Sequence, residues 1–452
     1  MSVKIEQVYA REILNSRGKP TVEVEMTCTN GLTVAASVPS GTSTGKYEAL
    51  EIYDGGSRYH GKGTRKAVEN VNQILAPAVI GMDVTDQRKI DRRLIELDGT
   101  KQKSRLGGNA ILGVSLVAAR AGALALGLPL YRYLGGLSAT RLPNVMSTVI
   151  SGGAFSPSGL EFEDYLYVLD GFSSFHDQVE AISDMRALLQ KRCAEKYGVI
   201  AEDGGALAPP MSSTEEAFET MLSVARQVGC EKHVFLGLDV AANELFDAQK
   251  SCYNMKSSCM EAERLIEYYQ QLCRNYPLLY IEDAFHEDDW LHFSQLTSLL
   301  PEKQIVGDDL FATNDGRLKM GIEKKAANTL LLKVNQIGTV SEALKTAAMA
   351  KNAAQLAGID AAVQALPKGY DTVCMEGMFS QGEWQLLSIA RAAAADPAVL
   401  LLDEITANLD AETEARVLEA LRRASAGRTV LSVSHRIYEN LGGRTIEVRA
   451  QA

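Results

Sequence analysis

The chain has 452 residues, 46% of them hydrophobic and 23% charged, with a formal net charge of −11. That length predicts roughly two to four domains with ample core, and the acidic balance argues against a nucleic-acid partner. Seven cysteines without a CxxC pair suit a reducing cytosol better than a disulfide framework, and neither an apolar signal core in MSVKIEQ nor an apolar run of 18 residues is read, so a cytoplasmic protein without a membrane segment is expected.

From Lys4 to Val38, the alternating runs TVEVEMT and LTVAASV are separated by SRGKP and TNG, the pattern of an antiparallel meander. The small-residue loop PSGTSTGKYEA follows. Helical periodicity then runs from Thr64 to about Leu97 and from Asn109 to Leu134. Residues 1–140 therefore read as an α+β cap domain. Two stretches imitate phosphate loops. Gly41–Lys46 is one residue short of GxxxxGK[ST], and Gly56–Lys62 has Gly63 where Ser or Thr should bind magnesium. Neither follows a strong strand and opens a helix, so neither is read as a nucleotide site.

The second region repeats one plan. HVFLGLD ends in Asp239, PLLYIED reaches Glu282 and Asp283, QIVGDD reaches Asp308 and Asp309, and NTLLLK ends in Lys333. The gaps from 239 to 282, 308 and 333 are 43, 26 and 25 residues, each enough for a strand and a returning helix. This is the rhythm of a (β/α) barrel, whose chemistry sits at the carboxyl ends of its strands. Three carboxylates and a lysine converging there suggest a hard divalent cation beside a general base. Solvated charges at loop starts would explain any one of them, less well all four in register.

At this point the chain resembles the enolases, the phosphopyruvate hydratases of glycolysis. The resemblance rests on NSRGKPTVEVE, VPSGTSTGKYEALE, KSRLGGNAILGVSLVAARA, GLDVAANE, YIEDAFHEDDW, IVGDDLFATN and NTLLLKVNQIGTVSEAL, and covers about residues 1–350. It implies that Asp239, Glu282 and Asp308 hold a Mg2+ ion and that Lys333 is the general base. Ser43 would join a second magnesium and the substrate as its loop closes. It also implies a phosphorylated carboxylate substrate and a homodimer.

The departures are equally specific. The family loop NGGSHAGG appears as SGGAFSPS, with Phe155 in place of a substrate-contacting histidine. The Gln-Glu pair appears as Glu163-Asp164, leaving Glu163 a substrate contact and Asp164 a shortened acid. The DEGG motif appears as Glu202-Asp203-Gly204-Gly205, so Asp203 replaces the glutamate that helps deliver the proton. A misplacement of about 1 Å can cost about 10²-fold in rate.

After Leu344 the seventh and eighth barrel strands, with their Ser-His-Arg and second lysine, do not follow at the expected place. FSQGEWQLLSIARA, LLLDEITANLD and TVLSVSHR instead resemble the signature, Walker B and switch-histidine segments of an ABC-transporter ATPase. By that resemblance Ser380 and Gly382 would touch a γ-phosphate in an opposing subunit, with Gln381 departing from the usual glycine. Asp403 would support magnesium, Glu404 would be the base, and His435 would position phosphate and water. No phosphate loop lies in the preceding region, so ATP binding is expected to be very weak.

The expected fold class is thus α/β: an enolase-like α+β cap (1–140), an incomplete (β/α) TIM-type barrel (141–350) and an α/β fragment of an ABC ATPase (351–452). The join falls between about Leu344 and Leu356. The expected function is impaired, magnesium-dependent dehydration of 2-phosphoglycerate. The alternatives are an inactive chimeric or interaction protein and, third, an ATPase fragment. Two strands, about Val399–Asp403 and Thr429–Ser434, with a helix near Ala411–Ala424 between them, would either close the barrel or form a separate unit.

Overall fold

The structure, a computed structural model, describes residues 2–41, 45–154, 156–256, 258–356, 399–403, 411–424 and 429–433. Strands β1 (Ile5–Leu14), β2 (Pro20–Cys28) and β3 (Thr33–Ser37) form the antiparallel meander that their alternation requires. On β2, Val22, Val24, Met26 and Cys28 are fully buried, while Glu23 and Glu25 on the other face pair with Arg11 of β1 at 2.7 and 2.9 Å. Helix Gly108–Ala125 packs on the buried face. A Cβ on Gly113 would come within 2.5 Å of Val24, so Gly113→Ala would overpack this contact at a cost of about 1–3 kcal/mol. This helix is also long and apolar enough to cross a membrane, contrary to the expectation that no such run exists. Its residues from Ala110 to Leu112 and at Val114 and Val117 are core, which explains their apolarity without a bilayer.

The expected helix 64–97 is divided. Helical turns Arg65–Asn70, Val71–Leu75 and Ala76–Val79 stop where Ile80 becomes extended and Gly81 takes φ 81°. Helix Gln87–Asp98 restarts on the Asp86 side chain, which accepts from the Lys89 amide. The expected helix 109–134 breaks likewise at Gly127 (φ 67°) and Pro129. Gly56–Lys62 holds a tight turn, Arg58–Gly61, whose Arg58 pairs with Glu12.

The second region is a sheet in the order β14-β13-β12-β8-β5-β4-β7-β6. Its strands are β4 (Met146–Ser151), β5 (Asp164–Leu169), β6 (Ala201–Asp203), β7 (Ala206–Ala208) and β8 (Val234–Asp239). They continue with β12 (Leu278–Glu282), β13 (Gln304–Gly307) and β14 (Thr329–Leu330), while β9 (Phe246–Asp247), β10 (Cys252–Met255) and β11 (Ser258–Met260) form a separate small sheet. Strands β8, β12, β13 and β14 run parallel, as the spacing predicted. Strand β5 departs from that rhythm, running antiparallel to both β4 and β8. Strand β14 is shorter than the apolar run Leu330–Leu332 suggested. Leu332 lies beyond its end and is 46% exposed, and the far side of β14 is an edge among the described residues.

Cys252 and Cys259 form a disulfide across the β10–β11 hairpin, a single bridge where the sequence reading favoured a reducing cytosol over a disulfide framework. In the tail, β15 (Val399–Asp403) and β16 (Thr429–Val433) pair in parallel, residue 399 opposite 429, with helix Ala411–Ala424 between them. They form their own two-stranded sheet, so among the described residues the strands take the second of the two alternatives, a separate unit, and do not pair with the barrel sheet.

Candidate active site

Strand direction decides which side chains meet. The parallel strands β8, β12 and β13 end side by side, with Glu282 paired to Asp239 on one side and Val306 on the other. Asp308 and Asp309 follow β13 immediately. Because β5 is reversed, its first residue, Asp164, lies opposite Asp239, the last of β8. A reversed strand thus delivers its amino end to the rim where its neighbours deliver their carboxyl ends.

On one side of this rim the Lys333 amine contacts Asp308 Oδ2, and the Gln336 side-chain amide donates to Asp308 Oδ1. The Lys333 amide donates to Thr313 Oγ1 at 2.9 Å. The Thr313 hydroxyl in turn donates to Gln336 Oε1 at 2.9 Å, which turns the Gln336 amide nitrogen toward Asp308. Glu282 accepts from the Tyr280 hydroxyl. Asp283, held at φ 42°, accepts from the amides of Asp308 and Asp309 at 3.0 and 2.8 Å and so braces the turn that carries them.

Burial dominates the charge balance here. It pushes Glu282 up to about 7, with Asp308 adding repulsion, and drives Asp239 and Asp283 well above the carboxylate range. Burial also disfavours the Lys333 ammonium, but attraction from Asp308 and then Glu282 and Asp239 prevails and raises its pKa. An ammonium against a nest of repelling carboxylates behaves as a counter-ion would. Glu282, Asp283 and Asp308 offer oxygens within 4.8 Å of one another, all from buried residues. Hard oxygen donors so crowded fit Mg2+. Asp239 lies outside that trio but feels the charges of Glu282, Asp283, Glu163 and Asp164.

The opposite side is held more loosely. Glu163 is half-buried and pushed up to about 7 by burial, then by Asp164. Asp164 accepts from the Thr148 hydroxyl at 3.0 Å and is raised by burial, with Asp203 adding repulsion. Asp203 sits at the tip of the β6–β7 hairpin and accepts from Ser151 Oγ at the long distance of 3.5 Å. The two-residue turn Gly204-Gly205 takes φ 57° and 96°, which glycine adopts freely and matches the twist of a tight hairpin. Attraction from Lys333 opposes part of the rise at both Glu163 and Asp164, so the charges of the two sides reach each other.

Ser43 and Phe155 lie outside the described residues, as do Ser380, Gly382, Glu404 and His435. Asp403 ends β15, but its side chain is outside them too. Gln336 and Glu48 were missed in the sequence, although both stand inside segments quoted for the resemblance. Polar residues only 2% and 8% exposed within such segments are the signal, and only the folded structure reveals it.

Residues 5–134 match the family described as Enolase, N-terminal domain, and residues 139–406 match Enolase, C-terminal TIM barrel domain. An enolase of Thermococcus kodakarensis is 50% identical over 350 residues, spanning 76% of this chain and 81% of that one. An enolase of Thermococcus gammatolerans is 47% identical over 398 residues, spanning 87% and 88%. One of Pyrococcus furiosus is 49% identical over 350 residues.

Proposed function

The chain belongs to the enolase family, and on that premise we propose that it is a magnesium-dependent phosphopyruvate hydratase, converting 2-phosphoglycerate to phosphoenolpyruvate and water. The observation that carries this is Lys333 set against Asp308 beside Glu282, an amine in a buried carboxylate nest at the ends of parallel strands. Asp239, Glu282 and Asp308 would hold the ion, with Asp283 bracing the turn. When bound, the ion stabilises the negative charge that gathers on the substrate carboxylate as the C2 proton leaves. Lys333 Nζ takes that proton. Its charged form is favoured by the carboxylates around it, so neutralising them is a condition for a neutral, basic amine. Glu163 contacts substrate across the rim, and Asp164 and Asp203 hold and deliver the proton that leaves with the C3 hydroxide. By the family resemblance, Ser43 would join a second magnesium and the substrate.

Formation of the enol phosphate, followed by its ultraviolet absorbance with and without magnesium, tests this reading. A folded, magnesium-loaded sample that forms none would favour the second reading, a catalytically inactive enolase relative. Phe155 in place of a histidine and the shortened Asp164 and Asp203 support that alternative.

The finer organisation belongs to the same proposal. We place the cap at 1–140, the barrel at 141–350 and an ATPase-like tail at 351–452. The tail reading rests on its three motifs and on the parallel strand–helix–strand order of 399–433. It competes with the barrel match, which extends to residue 406. A third reading, an ABC-type ATPase, has the motif residues Ser380, Gly382, Asp403, Glu404 and His435 but no phosphate loop before them. Saturable ATP binding below millimolar concentration that Asp403→Ala abolishes would support it. A homodimer, carried over from the family resemblance, is tested by sedimentation.

A further inference from the structure

The cap grips the chain just beyond Lys333 at several points. Gln336 O accepts from the Ala49 amide at 2.7 Å, the Val340 amide donates to Ser115 Oγ at 2.9 Å, and the Ser341 amide donates to Asp91 Oδ2 at 2.9 Å. Lys103, itself 2% exposed, pairs with Glu342 at 3.0 Å. One of these contacts leads into the site. Glu48 of the cap accepts from the Gly45 amide at 3.1 Å and from Gln336 Nε2 at 3.3 Å through the same oxygen, Oε1. The same Gln336 nitrogen donates to Asp308 Oδ1. Gly45 is the first described residue after the loop that contains Ser43, and its backbone stands hard against the rim. A Cβ there would come within 2.7 Å of Asp309 Oδ1.

We infer that Gln336 is a positioning residue for Asp308, and that Glu48 sets Gln336 from the cap. One hydrogen-bond chain, Gly45–Glu48–Gln336–Asp308, thereby ties the end of the cap loop to a metal ligand on the barrel. Three features make the arrangement specific. Gln336 has both ends committed, Oε1 to Thr313 and Nε2 to Glu48 and Asp308, so it cannot rotate without losing bonds in a buried site. Both of its amide hydrogens are directed at carboxylates. The Asp308 oxygen it fixes is distinct from the one that Lys333 contacts, so Lys333 and Gln336 hold the carboxylate from its two oxygens. Partners of this kind orient a metal ligand, and their loss commonly weakens metal binding by about 10- to 100-fold.

The inference rests on the proposed magnesium site, and the experiment separates the two. Magnesium is titrated calorimetrically into the full chain and into Gln336→Met, Glu48→Ala and Glu48→Gln, with thermal midpoints measured alongside. Gln336→Met keeps the volume and removes both donors. It is expected to raise the magnesium Kd by roughly 10- to 100-fold. Glu48→Ala is expected to raise it less, and Glu48→Gln, which keeps an acceptor oxygen, to restore it to near the parent value. A lower midpoint with an unchanged Kd in both Gln336→Met and Glu48→Ala would reduce the residues to packing and overturn the inference. Should Gln336→Met not fold, the Glu48 pair decides alone: a Kd raised in the alanine and rescued in the glutamine supports it, and equal values overturn it. A parent chain that binds no magnesium overturns the metal assignment itself, and this inference with it.

Discussion

The base side and the acid side of the rim differ in how the backbone holds their carboxylates. Glu282, Asp283 and Asp308 stand at the ends of adjacent parallel strands. They are fastened by backbone amides, a tyrosine hydroxyl and Gln336. Glu163, Asp164 and Asp203 come from the start of a reversed strand and the tip of a three-residue hairpin arm, where Asp164 and Asp203 each accept from one side-chain hydroxyl, at 3.0 and 3.5 Å. A parallel strand end gathers ligands for free, because each neighbour delivers its next residue to the same rim. The acid side has to be brought there by β5 and by a glycine turn, so its reach depends on side-chain length. By the family resemblance, Asp164 and Asp203 there are also a methylene shorter than the glutamates they replace.

Four measurements would break or sharpen this contrast. The largest effect is expected from Lys333→Ala, which should lower enol phosphate formation by on the order of 10²–10⁴-fold and equally suppress exchange of the substrate's C2 proton with solvent. Exchange that survives the substitution would remove Lys333 from the base role. Next, Asp308→Asn and Asp239→Asn should each raise the magnesium Kd by more than about 100-fold, beyond the usual cost of losing an indirect partner, and Asp283→Asn by less. If Asp283→Asn is the most damaging and Asp239→Asn is silent, the ligand set is Glu282, Asp283 and Asp308, the trio that lies closest together.

On the acid side, Asp203→Glu lengthens the reach and should raise turnover by about tenfold or more. In the parent chain, C2 proton exchange should outrun product formation, and in Asp203→Glu the two rates should converge. No change in either rate would mean that Asp203 stands outside the proton path. The smallest effect concerns stability. Glu163 and Glu282 sit at about 7 in the folded chain, above the ordinary glutamate value of 4.5. The folded state therefore binds more protons than the unfolded state between those values, and the metal-free protein loses stability as pH rises from about 4.5 to 7. Its thermal midpoint should fall by several degrees across that window, and magnesium should recover part of the loss at the upper end. A midpoint that rises over the same range would contradict the charge balance of the rim.

Much of this was legible in the chain. The meander followed from alternation, because a two-residue period permits one buried face. The parallel strands ending in Asp239, Glu282 and Asp308 followed from spacing and from charges placed after apolar runs. The strand–helix–strand unit 399–433 was legible through the resemblance of LLLDEITANLD and TVLSVSHR to Walker B and switch-histidine strands. The helix breaks at Ile80 and at Gly127 were not, since hydrophobic periodicity continued through them and the chain turned on Gly81 and Gly127. The disulfide was also hidden, because Cys252 and Cys259 become neighbours only when the hairpin forms.

What the sequence by itself determined is the chemistry on offer: carboxylates at strand ends, a lysine after the last of them, and motifs specific enough to declare a family. These are local signals, carried by residues within one strand and its loop. What only the tertiary structure decided is which of those groups share a site and what holds them. The reversal of β5, the pairing of Asp164 with Asp239 and the chain from Glu48 through Gln336 to Asp308 join residues up to 288 positions apart. Such contacts leave no period and no spacing in the sequence, because they are set by sheet order and by the docking of one domain on another.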